Sequence, residues 1–273
     1  MPFSIEEFVS TDLLSVRGKL RLLAEPLTEG ARDDETAADY FVRKFGPEAY
    51  HNLVEPLFGG IYGSDPAEMP GEYALRTVKK MERSGSLIRA AVNRRLEGKG
   101  REAPVSFDDG MAQLPRALYE HNADRVALET AVDRIVPEGT GYRLETEDGS
   151  HRVDHVVVTV RADVAAGLLA DVDADSARAL RRLYYNPLAY VHLHSAAAPA
   201  GYGYQVRHDE PLRTLGVTWN ASLFDRDGVY TCFLGGMKNP GLVDRPEREL
   251  GRIASQEFEA VVDAAAEVGN GTR

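Results

Sequence analysis

Residues 55–70 read EPLFGGIYGSDPAEMP, an apolar run that meets two adjacent glycines, a tyrosine, a third glycine and a Ser-Asp-Pro stop. One glycine is enough to end a helix, because a single residue past the last turn takes the left-handed conformation. Gly59, Gly60 and Gly63, interleaved with Leu57, Phe58, Ile61 and Tyr62, predict a helix end and turn whose backbone lies against something flat.

Working outward, the flanks of this stretch are helical. Asp33-Asp34-Glu35-Thr36 opens ETAADYFVRKFG, with Ala38, Phe41, Val42 and Phe45 at helical spacing and Gly46 as the stop. Pro47 then starts EAYHNLVEPLF, which runs into the glycines. Beyond Pro70 one longer helix is predicted over 72–96, its Arg94-Arg95 end suited to a helix C-terminus, followed by a loop around Gly98 and Gly100. Residues 1–103 therefore read as a helical lobe.

From Pro104 the pattern changes. VSFDDGMAQLPRALYEHN predicts a strand, a glycine turn and a short helix, and RVAL, AVDRIV, YRLETED and VDHVVVTV predict short strands. YRLETED-GS-HRVDHVVV is a hairpin candidate around Gly149, and the continuous run Val156-Val157-Val158 fits a strand covered on both faces. RADVAAGLLADV and SARALRRLYY read as helices. LAYVHLHSAA, GYGYQVRHD, LRTLGVTW and VYTCFLGGM read as strands, before a helix over 245–267 with Leu250, Ile253, Phe258 and Val261 on one face. The fold class is α+β or α/β, with central strands over 104–170 and a mixed sheet over 171–273.

Composition narrows the partners. Asp and Glu number 43 against 32 Lys and Arg, a net charge of -11, and there is no basic run, which argues against nucleic acid. The low lysine count and acidic bias suit a salt-rich cytoplasm or a GC-rich genome equally. Cys232 is the sole cysteine, so neither an intrachain disulfide nor a CxxC metal knuckle can form. MPFSIEEFVS lacks the basic and apolar regions of a signal peptide, and no uncharged apolar window reaches bilayer length. A soluble cytoplasmic protein is the expectation, with peripheral contact at the inner face of the cell membrane left open.

Chemistry motifs are sparse. There is no GxGxxG or Walker-type loop, and GGIYGSD follows a helix rather than a strand. His192 and His194 alternate on one predicted strand and share a face; without a third ligand they read as surface or pocket histidines, and no metal is expected. Ser222 lies in no GxSxG.

The order of segments carries more. ETAADYFVRKFGPEAYHNLVEPLFGGIYGSDPAEM resembles the "FGxExxxxLxxPLxxGIYAGD" stretch of the oxygen-dependent protoporphyrinogen and coproporphyrinogen oxidases. FDDGMAQLPRAL is similar to the family's "FxGGLxxLPxAL", RVALETAVDRIV to its "VxLxxxVxxI" and DHVVVTVRADVAAGLL to "DxVVxAxPAxxAAxLL". GYGYQVRHDEPLRTLGVTWNASLFDRD…YTCFLGGM is similar to "GFGxLVPxxExxxxLGxxWxSxxFPxR…LLxxFxGG". The five segments stand in the family's order, from about Leu13 to the last helix.

The resemblance implies the middle of an amine-oxidase-like flavoprotein fold without its N-terminal Rossmann unit. It implies FAD, its adenine end at Val132 and its phosphates and ribose near the strand ending at Thr159, and a porphyrinogen beside Leu57, Gly60, Tyr202, Gly203 and Phe233. The implied reaction is hydride removal from the porphyrinogen to FAD with O2 as final acceptor, in heme biosynthesis, and no side-chain acid or base is demanded. A complementing Rossmann-bearing chain or a homodimer would be the protein partner. Asp108-Asp109 replaces part of the family's glycine pair, Arg161 stands where proline is usual, and Gln205 where leucine is usual. By residue chemistry alone, Val132 and Phe233 read as core strand residues, Leu57 as core or pocket wall, Trp219 as packing and Cys232 as a small buried apolar residue. Arg94-Arg95 and Lys79-Lys80 read as a solvated helix face or as propionate contacts. Two rivals stand beside the oxidase: a non-catalytic porphyrin- or partner-binding module, and another amine-oxidase-like flavoenzyme.

Overall fold

A computed structural model describes residues 5–32, 34–82, 85–97 and 105–269. The loop expected at Gly98 and Gly100, and the face expected from the Arg94 and Arg95 side chains, lie outside the described residues. The chain forms two compact units: Met1–Val105 together with Asn186–Arg273, and Ser106–Tyr185.

In the first unit, Thr36 caps the helix Ala37–Phe45 through a reciprocal capping box with Asp39, and Gly46 stops it at φ 88°. Pro47–Ala49 starts the next helix, which widens into a π turn over Tyr50–Val54 and continues as Glu55–Tyr62. Pro56 supplies the cause: it has no N–H for the ladder and its ring crowds the preceding turn, so Glu55 reaches back five residues to the Tyr50 carbonyl. The expected helix end at the glycine pair is therefore corrected. Gly59 and Gly60 lie inside the helix, and Gly63, left-handed at φ 57°, ends it.

The helix predicted over 72–96 is likewise broken, into Gly71–Ala74, Arg76–Glu82 and Leu87–Leu96. Gly85 at φ 89° turns the chain, and the Glu25 carboxylate caps the last helix by accepting from Leu87 N at 3.1 Å, Ile88 N at 3.3 Å and the Ser86 hydroxyl. Tyr40, Phe41, Tyr50, Val54, Phe58, Leu75 and Leu87 pack as the lobe's core. At its edge sits a buried ion triad: Lys44 Nζ lies 2.7 Å from both Glu25 and Glu82. On the helix Val16–Leu23, by contrast, Val16, Leu20 and Leu23 form a solvent-exposed apolar row. No helix among the described residues is long and apolar enough to cross a membrane.

The same unit carries a five-stranded antiparallel sheet in the order Gly203–Gln205, Thr214–Thr218, Val229–Gly235, Leu188–His194, Glu267–Val268. The four strands predicted between 188 and 237 all form. The last helix runs Glu247–Val262 and packs Leu250, Ile253 and Phe258 against Leu193, Val217, Tyr230, Cys232 and Leu234. Val261, expected on that buried face, is 44% exposed, in the last turn before left-handed Asp263 caps the helix.

The second unit is a three-stranded antiparallel meander, Arg134–Glu138, Gly141–Thr146 and Gly149–Val153, with helices Gln113–Asn122, Ala162–Leu168 and Ala174–Leu180. The hairpin expected around Gly149 forms, with Thr146 paired to Gly149. The strands expected at 105–107, 125–128 and 156–158 do not: these residues pair with no described strand, and Val157 is 85% exposed. An apolar run becomes a buried strand only where neighbours complete its ladder on both edges, and the meander stops at Val153. Both sheets are antiparallel, which makes the class α+β rather than α/β.

Candidate functional site

Side-chain alternation divides the larger sheet into a core face and an open face. Ala189, Val191 and Leu193 turn to the last helix, while Leu188, Tyr190, His192 and His194 face outward, so the two histidines do share a face as predicted. The register extends this into rows across the open face. Gln205 stands opposite Gly216, Gly216 opposite Phe233, and Phe233 opposite Tyr190; beside that row run Gly203, Thr218, Thr231 and His192. The first row thus holds Gly216 beside Phe233 and Tyr190, and the second runs from Gly203 to the His192 ring.

The glycines are fixed by the fold itself. A Cβ on Gly203 (φ 137°) would meet the Val217 carbonyl oxygen at 2.0 Å, and one on Gly216 (φ 156°) the Tyr204 oxygen at 2.5 Å. Gly60 has a related reason: a Cβ there would come within 2.7 Å of the Gln205 side-chain amide, so the helix Glu55–Tyr62 lies against the Gln205 end of the sheet. Gly63 ends that helix with its carbonyl on Met237 N at 2.8 Å, and a side chain on Gly236 would strike the same oxygen at 2.7 Å. The surface against which this glycine-rich backbone lies is therefore, at Gly60 and Gly63, the protein's own sheet.

The structure brings Gly60, Gly203 and Phe233 to one side of the sheet. Leu57 is half-buried on the same helix as Gly60, and Tyr202 is 47% exposed next to Gly203, its carbonyl accepting from Trp219 N at 3.0 Å. Trp219 packs against the sheet core as expected. Sequence reading did not single out Tyr190, Thr231 or Asn220. Asn220 Nδ2 donates to Thr231 Oγ1 at 2.9 Å, Thr231 Oγ1 lies 3.2 Å from His192 Nδ1, and the Tyr190 and His192 rings meet edge-on at 5.5 Å. Alternation placed His192 and His194 together, but the cross-strand partner of His192, 39 residues away, had no local signal.

Cys232 lies on the opposite face, fully buried, and burial pushes its thiol up to about 12. It is therefore expected to resist iodoacetamide at pH 8 in the native protein and to react stoichiometrically in denaturant, as mass spectrometry would show; rapid native labelling would contradict this packing. Burial likewise raises the Tyr204 phenol. Among the described residues no group of His, Cys, Asp and Glu could hold a metal ion.

In the second unit, Val132 is half-buried just before the strand Arg134–Glu138, and Thr159 is exposed on the unpaired extended run after Val153. The hollow beside Val132 is lined by Glu129, Asp133, Glu147 and Asp148. These four carboxylates lie where the adenine end rather than the pyrophosphate is expected, and the described residues include no glycine-rich turn from a strand into a helix N-terminus that would cradle the anionic pyrophosphate. These residues alone do not fit the phosphate end of a flavin cofactor.

The family profile of "Flavin containing amine oxidoreductase" matches residues 1–273. The chain belongs to that family. It is 28% identical to protoporphyrinogen oxidase 1, chloroplastic, of Arabidopsis thaliana over 92% of its length and 54% of that protein's. It is 23% identical to the coproporphyrinogen III oxidase of Bacillus subtilis over 98% of its length and 61% of that protein's. A solved structure from Exiguobacterium sp. 255-15, provisionally assigned as a protoporphyrinogen oxidase, superposes with a TM-score of 0.74 at 23% identity, covering 98% of this chain and 61% of its own. The amine-oxidase-like fold expected from the sequence is thus present, and the chain spans a little over half the length of these relatives. Family membership implies FAD as the cofactor of the enzyme class.

Proposed function

We propose that this chain is the substrate-side part of a flavin-dependent porphyrinogen oxidase of heme biosynthesis, and that it binds protoporphyrinogen IX or coproporphyrinogen III over the open sheet face. The observation that carries this reading is the pair of cross-strand rows, Gln205–Gly216–Phe233–Tyr190 and Gly203–Thr218–Thr231–His192. A glycine floor next to aromatic rings gives a flat apolar macrocycle close backbone approach and a face to stack on. Leu57, Gly60 and Tyr202 border the same surface in this reading. The names of the plant and Bacillus relatives support the substrate class.

In the whole enzyme FAD would supply the hydride acceptor and O2 its reoxidation; within this chain Val132 and Thr159 would touch the cofactor, and its pyrophosphate cradle would come from outside the described residues. A Rossmann-type unit, on the same polypeptide or on another, would supply it.

The test is titration of the purified chain with coproporphyrin III and with protoporphyrin IX, following the Soret band. A saturable shift is expected, with Phe233→Ala and Tyr202→Ala each weakening affinity about tenfold, the loss of one well-packed aromatic contact. No shift in the wild-type chain, or unchanged affinity in both variants, would remove the assignment. Flavin absorbance of the same preparation separates the rivals: porphyrin binding without FAD uptake marks a binding module dependent on another chain for redox chemistry.

A further inference from the structure

We propose that His192 anchors a carboxylate arm of the planar ligand, held for that task by Thr231 and Asn220. This rests on the porphyrin reading of the open sheet face and adds a residue and a role to it. Asn220 Nδ2 donates to the Thr231 hydroxyl at 2.9 Å, which occupies a lone pair of that oxygen. The Thr231 hydroxyl, 3.2 Å from His192 Nδ1, then satisfies every group by donating its own proton to that nitrogen. The relay leaves the imidazole proton on Nε2. Nδ1 faces Thr231, a residue only 9% exposed, and Nε2–H is left as a donor on the outward face.

Tyr190 restricts the ring further by its edge-on contact, so the donor is presented at little conformational cost. His192 also stands at the end of the row that begins with Gly203, one row from Phe233 and Tyr190. A disc lying over Gly203 and stacked on Phe233 would reach this donor with a flexible side arm rather than with its ring. A carboxylate is the arm such a donor recognises, because an ionised acceptor makes the hydrogen bond from Nε2–H charge-assisted. Covering Phe233 and Tyr190 with the macrocycle would exclude water from that bond and strengthen it. Any macrocyclic acid with propionate-like arms fits this description, whereas the same macrocycle with its carboxylates esterified loses the strong acceptor.

The experiment compares coproporphyrin III with its tetramethyl ester in one micellar buffer, titrated into the full chain and its variants by Soret shift. His192→Ala is expected to weaken the free acid about tenfold and leave the ester within a factor of two. His192→Gln, which places an amide N–H near the Nε2 position, is expected to restore most of the acid affinity. Thr231→Val, which keeps shape but removes the relay, is expected to give a smaller, acid-selective loss of about threefold. Equal losses for acid and ester, or no loss for either, would overturn the anchor while leaving the porphyrin site standing. If the wild-type chain binds neither acid nor ester, the porphyrin site itself falls, and the anchor with it.

Discussion

Exchanging Lys44 for methionine is expected to lower the unfolding free energy by about 3–5 kcal/mol, the cost of leaving buried charge without its partner. Lys44 is wholly buried and holds Glu25, also wholly buried, and the largely buried Glu82, each at 2.7 Å. Methionine fills a similar volume, so the loss reports the charge rather than a cavity. The effect has a pH signature. Burial alone would raise the Glu25 pKa, but the bonds from Lys44, Ser86, Leu87 N and Ile88 N outweigh it and hold the carboxyl below its ordinary 4.5. A depressed folded-state pKa adds stability that is present above 4.5 and lost as pH falls through the folded value. Without Lys44 the largest bond opposing burial is gone, and the Glu25 pKa rises. The gap between wild type and Lys44→Met should therefore be widest near pH 7 and narrow as pH falls, first through the raised Glu25 value of the variant and then, below 4.5, through the depressed value of the wild type. Urea titrations followed by circular dichroism across pH 4–7 measure this. A loss under about 1 kcal/mol at pH 7 would show that the triad is solvated in solution.

Gly203→Ala is expected to cost about 3 kcal/mol or more, combining a φ of 137° with a methyl group 2.0 Å from the Val217 carbonyl oxygen. The obstructing atoms are backbone on the neighbouring strand, so relief requires the short Gly203–Gln205 strand to leave the sheet. Because that strand carries both Gly203 and Gln205, the variant should also lose the Gly60 contact with Gln205 and the floor of the proposed porphyrin site. Thermal unfolding of the variant and its Soret titration should fail together. A variant that melts at the wild-type temperature would show that this strand is only loosely held.

The residues themselves explain which parts of this architecture were legible in the chain. Caps and alternation are local signals: Thr36 with Asp39, Gly46, and the period-two pattern of 188–194 each state their structure within a few residues. The glycine pair at 59–60 misled because glycine has two uses. It ends helices through backbone freedom, and it admits close neighbours through its missing side chain; here Gly60 serves the second use inside a helix. Val156–Val158 misled because apolar composition reports a wish for cover, not the presence of a covering strand. Gly60, Gly203 and Phe233 were named from the family likeness; Gly203 and Phe233 stand on the sheet and Gly60 on the helix against Gln205. Thr231 and Asn220 acquire meaning only through a register that joins residues 39 positions apart. Local pattern cannot carry that register.

The seam between Gly63 and Gly236 also constrains how the protein is made. Ser64 and Met237, which touch across it, are separated by 173 residues, with the whole of 106–185 synthesised between them. At roughly 5–20 residues per second, about 9–35 s pass between emergence of the Glu55–Tyr62 helix and arrival of the strand that receives it. During that interval the newborn helical lobe must wait with its sheet-facing edge uncovered, and the ribosome-bound chain is at its most vulnerable to capture by chaperones or by a neighbouring nascent chain.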